Sequence, residues 1–257
     1  MKQTASLIFI SPLLCCDCGS NQGGRLGPAP AVSQPLEQTQ KNDPNDRSDE
    51  RERMVREQIE RRNIKNQQVL QAMRRVPRHL FVPMAYRDNA YEDRALPIED
   101  GQTISQPYIV GLMTELARVN PGETVLEVGT GSGYQAAVLA DMGVNVYSVE
   151  IVATLAESAK ERLLKLGYRN VHVRHGDGYD GWKEHAPFDA ILITAAPPHI
   201  PEPLKQQLKV GGRLVVPVGE WQQQLIVLRR TKTGFEKQSI IPVIFVPMTG
   251  KIQSENP

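Results

Sequence analysis

The stretch Val125-Leu126-Glu127-Val128-Gly129-Thr130-Gly131-Ser132-Gly133-Tyr134 passes from an apolar, β-branched run through three alternating glycines into a residue able to open a helix. That order predicts a buried strand, a sharp turn and a helix start. Glycines let the chain turn tightly and let its backbone approach a ligand, while the free amides of a helix N-terminus face whatever fills the turn. A lone glycine triplet says little, and the acids around it say more. Glu150 closes the next apolar run about twenty residues on, where a carboxylate can accept hydrogen bonds from ribose hydroxyls. Gly176-Asp177-Gly178 follows a third apolar run and puts a second acid at the same edge. Asp177 is a candidate for an adenine amino group, against the plainer reading of a turn-forming Asp between two glycines.

Working outward, residues 124–128, 144–149, 171–174, 188–194 and 213–218 read as strands, with helices over 135–142, 153–166 and 203–208. Such alternation predicts a doubly wound, mostly parallel sheet with helices on both faces. Residues 225–230 and 240–246 read as closing strands, antiparallel. Upstream, residues 41–62 alternate charges of both signs around Met54, Val55 and Ile59, predicting a solvated amphipathic helix whose charges are assigned no function. Asn66 is placed to cap a second helix carrying Val69, Leu70 and Met73, which Pro77 ends. Residues 81–100 read as irregular, and a helix over 107–118 leads to the turn Asn120-Pro121-Gly122.

The charge balance, 30 Lys+Arg against 29 Asp+Glu in 257 residues, implies no bulk electrostatic partner, and the 40% hydrophobic content is that of a folded chain. No nucleic-acid partner is expected. All three cysteines, Cys15, Cys16 and Cys18, precede the predicted fold, so the body carries no disulfide framework and no cysteine-ligated metal. The run from Ala5 to Leu14 has the outline of a secretory signal but is far shorter than the roughly 20 apolar residues of a membrane span. Residues rich in Gly, Pro, Gln, Ser and Asn follow as a flexible linker. We therefore divide the chain into a signal-like segment with linker, 1–45, and a folded domain, 46–257, with no stable membrane insertion.

The loop spacing is G-x-G-x-G, and Tyr134 stands where a dinucleotide fingerprint would carry its third glycine. Glu127 beside the loop would repel a pyrophosphate and attract an ammonium or sulfonium. S-adenosylmethionine, with a ribose, an ammonium, a sulfonium and no phosphate, fits that pattern. Candidate cofactor-binding residues are Glu127, Gly129, Thr130, Gly131, Ser132, Gly133, Glu150, Asp177 and Gly178.

Several further segments carry a resemblance: Val76-Pro77-Arg78-His79-Leu80-Phe81-Val82-Pro83, Tyr91-Glu92-Asp93, Gly101-Gln102-Thr103-Ile104-Ser105-Gln106-Pro107, Pro187-Phe188-Asp189-Ala190-Ile191, Gly211-Gly212-Arg213-Leu214-Val215-Val216-Pro217-Val218-Gly219 and Val246-Pro247-Met248-Thr249. With the glycine loop they resemble the protein-L-isoaspartate (D-aspartate) O-methyltransferases over residues 53–249. The Thr-Ile-Ser-Gln-Pro segment narrows a glycine motif shared by many methyltransferases to this family. The resemblance implies a Rossmann-like methyltransferase fold with an N-terminal helical extension. It also implies a cytoplasmic monomer that methylates the free α-carboxylate of L-isoaspartyl residues in damaged proteins and peptides, so initiating repair, and leaves D-aspartyl residues as an open second acceptor. Periplasmic export is the alternative that the signal-like segment raises. Such a carboxylate is already ionised at neutral pH, so no general base is needed. Alignment and exclusion of water carry the reaction. Ser105 is the implied catalytic position, read as a hydrogen-bonding positioner, because no histidine neighbour makes it a nucleophile; the alternative is a serine bonded to its own turn. Thr103, Gln106 and Thr249 are candidate substrate-binding residues.

The five histidines are scattered and give no metal site, which takes three or four convergent ligands. Trp182, Trp221 and Tyr134 read as packing residues. Two rival functions remain at this level. A methyltransferase of base amines would carry an acid or amide before Pro-Pro and an aromatic after it, where this chain has Ala195-Ala196-Pro197-Pro198-His199; another small-molecule or protein acceptor stays open. A nucleotide-binding oxidoreductase or binding module is disfavoured by Tyr134.

Overall fold

In the computed structural model, which describes residues 46–254, the chain opens with α1 (Ser48–Met54). It runs without a break into a π-helical turn, Val55–Ile59, and a 3-10 turn, Glu60–Arg62. Asn63, in the left-handed conformation at φ 67°, ends it. Met54, Val55 and Ile59 are buried as the periodicity predicts. The solvated reading of its charges needs correction, because Arg51 donates to the Arg74 carbonyl, Arg74 pairs with Glu52 and Glu60, and Arg62 pairs with Asp93. Asn66 caps α2 (Gln67–Arg75), accepting from the amides of Gln68 and Val69 at 2.9 and 3.3 Å. Residues 81–100 form 3-10 turns and the short β1 (Leu96–Pro97), which pairs antiparallel with β2 (Thr103–Ile104). The small ladder was not predicted; two residues per strand leave no periodicity to read.

After α3 (Pro107–Ala117) come β3 (Thr124–Val128), α4 (Tyr134–Asp141), β4 (Asn145–Glu150), α5 (Ala153–Lys165), β5 (Val171–His175), β6 (Phe188–Ile193), α6 (Glu202–Gln206), β7 (Leu208–Val218), β8 (Gln223–Arg230) and β9 (Phe235–Val243). They form a seven-stranded sheet in the order β5-β4-β3-β6-β7-β8-β9. Strands β3 to β7 are parallel, and β8 and β9 close the sheet antiparallel. One correction concerns β9, which starts five residues before the predicted run at Ile240. Its polar first half is held by pairing with β8, a force that hydrophobicity does not report. Successive residues of β3 face opposite layers: Val125 packs with the α3 and α4 side, Leu126 and Val128 with the α6 side. Tyr134 is buried, packing edge-on against Phe81 and under the fully buried Arg78 guanidinium at 4.9 Å. Trp182 packs against Tyr147. Trp221 is a correction: it sits in the β7–β8 connection with 96% of its surface exposed.

Expectations for the signal-like segment, the cysteines and the linker lie outside the described residues. No helix among the described residues is long and apolar enough to cross a membrane. Among them no group of three or more His, Cys, Asp or Glu is placed to hold a metal ion.

Candidate active site

The strand order reverses direction between β3 and β6, and a crevice opens there at the carboxyl ends of the parallel strands, where such sheets bind ligands. It is an open cavity of about 640 Å³ whose wall includes Gly129, Gly131, Glu150, Gly178, Thr103 and Thr249. Gly129 adopts φ +97°, and a Cβ there would lie 2.4 Å from Thr194 Oγ1. A Cβ on Gly178 would lie 2.3 Å from Val128 Cγ1. Both positions need bare backbone, which leaves main-chain atoms free to meet a ligand.

Glu150, at the end of β4, accepts from the Gly131 amide at 2.8 Å and from the Val152 amide at 3.0 Å. Its carboxylate thus holds the glycine turn from below while presenting its remaining lone pairs to the cavity. Glu127 is fully buried in β3 and does not line the cavity. Its Oε2 accepts from Ser148 Oγ at 2.5 Å, Ser148 Oγ meets Thr130 Oγ1 at 2.6 Å, and Oε1 has no partner among the described residues. Burial pushes this carboxyl up to about 8, against the Ser148 hydrogen bond and with a small addition from the Glu150 charge. Thr130, Ser132 and Gly133 form the turn without lining the cavity, and Gly133 starts α4 at φ 86°. Asp177 accepts from the Tyr179 amide at 2.9 Å and the Lys251 amide at 2.8 Å. It is placed as a turn former that also anchors the C-terminal segment.

No lysine or arginine among the described residues lines this cavity, and Glu150 is its one charged group. A phosphate would find no cation there. A ligand with ribose hydroxyls and a positive centre meets the Glu150 carboxylate on the wall, with no cation among the described residues beside it. S-adenosylmethionine fits this donor and acceptor set.

A second open cavity, about 1130 Å³, is lined by Ser105, Gln106, Tyr108, Arg62 and the segment Ile241 to Val246. Thr103, Thr194 and Val246 line both cavities, so the two meet at these three residues. Ser105 Oγ makes no hydrogen bond with another described residue, which removes the self-bonded turn reading. Gln106 instead donates its amide to the Asp93 carbonyl at 3.0 Å and fixes the start of α3. Thr249 lies on the first cavity, not on the second where a substrate role would place it.

Sequence reasoning missed Thr194 and Arg62. Thr194 donates to the Gly129 carbonyl at 2.6 Å and stands at the junction of the cavities; its one signal was its place at the end of a parallel strand. Arg62 stacks over Tyr108 at 4.6 Å and pairs with Asp93, a tertiary arrangement with no signature in a charge run. The segment after β9 crosses the site because Ala196 donates to the Val246 carbonyl and Met248 to the Ala196 carbonyl, each at 2.8 Å.

Comparison with known proteins agrees with this geometry. Residues 49–253 match the model of the family described as protein-L-isoaspartate(D-aspartate) O-methyltransferase. The protein-L-isoaspartate O-methyltransferase of Gloeobacter violaceus is 58% identical over 205 residues, 79% of this chain and 100% of that protein. Protein-L-isoaspartate O-methyltransferase 2 of Syntrophobacter fumaroxidans is 60% identical over 185 residues, 71% of this chain and 75% of its own. A solved protein-L-isoaspartate O-methyltransferase superposes with a TM-score of 0.71 at 30% identity, covering 79% of this chain and 67% of that one. The structure of a Plasmodium falciparum relative in complex with S-adenosyl-L-homocysteine superposes at 0.68 with 26% identity, covering 77% and 98%. On these grounds, with the fold and the paired cavities in agreement, the chain belongs to the protein-L-isoaspartate(D-aspartate) O-methyltransferase family.

Proposed function

We propose that this chain is an S-adenosylmethionine-dependent carboxyl methyltransferase whose acceptor is the free α-carboxylate of L-isoaspartyl and D-aspartyl residues in proteins and peptides. The observation that carries the proposal is the meeting, at Thr103, Thr194 and Val246, of a glycine-lined cavity without a lysine or arginine among the described residues and a second cavity whose Ser105 hydroxyl bonds to no other described residue. When bound, S-adenosylmethionine supplies a methyl group made electrophilic by its sulfonium. Glu150 holds ribose hydroxyls through its free lone pairs, and the backbone at Gly129, Gly131 and Gly178 forms the floor. Glu127, under the loop, braces the turn through Ser148 and Thr130.

In the acceptor cavity, Ser105 donates a hydrogen bond to the substrate carboxylate and sets its direction toward the junction, with Thr103 and Thr194 on either side. A charge-assisted bond of this kind fixes orientation and is about twice as strong as a neutral one. No residue has to take a proton, since the acceptor is ionised at neutral pH. Once a peptide covers the apolar wall from Ile241 to Val246, water is displaced from the junction, and this favours a reaction in which opposite charges cancel.

Residues 46–257 form the catalytic unit in this reading, acting as a monomer in the cytoplasm; residues 1–45 are a signal-like segment and linker, with periplasmic export as the alternative location. Cell fractionation with mass spectrometry of the mature N-terminus checks the location, and light scattering the monomer. The decisive assay is methyl transfer from labelled S-adenosylmethionine to an isoaspartyl peptide and to its normal aspartyl counterpart. Labelling of the isoaspartyl peptide alone is expected, and equal labelling of both refutes the assigned acceptor.

A further inference from the structure

Between the C-terminal end of α3 and the strands β7 to β9 lies an open groove of about 850 Å³ that the reaction does not use. Four basic side chains line it, Arg118, Arg213, Arg229 and Lys237, against one carboxylate, Glu236. Arg213 on β7 and Arg229 on β8 are direct cross-strand partners. Like charges directly opposite each other in a ladder destabilise it. Glu236, opposite Arg229 on β9, answers one of them with a pair at 3.2 Å. The side chains of Arg213 and Arg118 make no hydrogen bond or ion pair with any described residue. Arg118 has a local reason for its charge, since it caps α3 where the helix dipole is negative. Arg213 has none: it is half-buried in the sheet, and burial, then the Arg118 and Arg229 charges, hold its guanidinium below its ordinary value, with Glu123 opposing. Leu116 and Val227 add an apolar flank.

We propose that this groove is a binding site for a phosphate dianion, with Arg213 as its central ligand and Arg118 and Arg229 completing it. The guanidinium fork matches a phosphate edge with two parallel hydrogen bonds, and a dianion relieves the repulsion that the ladder otherwise holds. Free phosphate and the phosphate of a small phosphomonoester share this chemistry, the second adding contact with Leu116 and Val227. The site is separate from both catalytic cavities and does not depend on the assigned reaction.

The test is thermal unfolding and calorimetric titration of the full chain with inorganic phosphate and, in a second arm, ribose 5-phosphate, against sodium chloride at matched ionic strength. A saturable rise in Tm is expected with phosphate and not with chloride. Tighter binding of ribose 5-phosphate assigns a phosphomonoester, and equal or weaker binding assigns free phosphate. R213Q is expected to unfold at a higher temperature than the wild type without phosphate, because a like-charge contact is gone, and to bind phosphate at least about tenfold more weakly. R169Q, on the far end of the sheet sequence and outside the groove, is expected to bind as the wild type does. A phosphate response no larger than that of chloride, or one that survives in R213Q, overturns the proposal.

Discussion

The two cavities that meet at Thr103 and Thr194 are built in opposite ways. The cofactor cavity has a local centre, a strand, its glycine turn and an acid at the end of the neighbouring strand, with distant residues such as Thr103 and Thr249 only completing its wall. Bare backbone at Gly129 and Gly178 is part of its wall, so some of its demands are conformational and appear as glycines in the sequence. The acceptor cavity is assembled from side chains distant in sequence, Arg62, Ser105, Tyr108 and the segment Ile241 to Val246. Its demands fall on tertiary placement, and no local spacing announces them. The contrast teaches that substitutions in the first cavity should act on cofactor affinity, and substitutions in the second on turnover and peptide recognition.

The strongest challenge to this division is Glu150→Ala. It removes ribose contacts and the acceptor for the Gly131 and Val152 amides, so cofactor affinity is expected to fall by about 100-fold, the loss of two hydrogen bonds to a charged group. Calorimetry with S-adenosylhomocysteine checks it, and wild-type affinity would dissolve the cofactor assignment. Next is Ser105→Ala, expected to lower kcat/KM about 30-fold while leaving the cofactor dissociation constant unchanged. A matching loss of cofactor affinity would show that the two cavities are one functional unit.

Glu127→Gln sharpens the comparison through pH. The wild-type carboxyl, lifted from an ordinary 4.5 to about 8, keeps a proton in the folded state that the unfolded state has lost between those values. Stability therefore falls as pH rises through that window. The glutamine variant is expected to lack this slope and to exceed the wild type above pH 8 by on the order of 1–2 kcal/mol, measured by urea unfolding across pH. Parallel pH profiles would place the titrating group elsewhere. The smallest effect is expected from Arg62→Ala, whose exposed pair with Asp93 contributes little to stability. Its KM for an isoaspartyl peptide should rise about threefold, through lost packing on Tyr108, with kcat and cofactor affinity held. A change in cofactor affinity would contradict its place on the acceptor wall.

The parallel strands and the helices between them were legible because buried strands and amphipathic helices carry their own periodicities, except that β7 starts at Leu208, five residues before the expected run and where the helix was expected to end. The Asn66 cap and the glycine turn were legible because each depends on a few adjacent residues. β9 was read five residues late, since its polar first half is held by ladder hydrogen bonds alone. Asp177 shows the same limit at the site: its motif is local, but the partner that occupies one of its oxygens, the Lys251 amide, lies 74 residues away.

The amino-acid sequence by itself determined the doubly wound sheet, the cofactor edge at Gly129, Gly131 and Glu150, and the resemblance carried by Thr103-Ile104-Ser105-Gln106-Pro107. Only the tertiary structure decided that Thr194 joins the two cavities, that Arg62 reaches the acceptor wall, and that Arg213 faces Arg229 without a counter-ion of its own. The physical reason is range. Turns, caps and periodic burial are set by neighbours along the chain, whereas a cavity wall or a charge cluster depends on which distant strands become adjacent when the sheet closes.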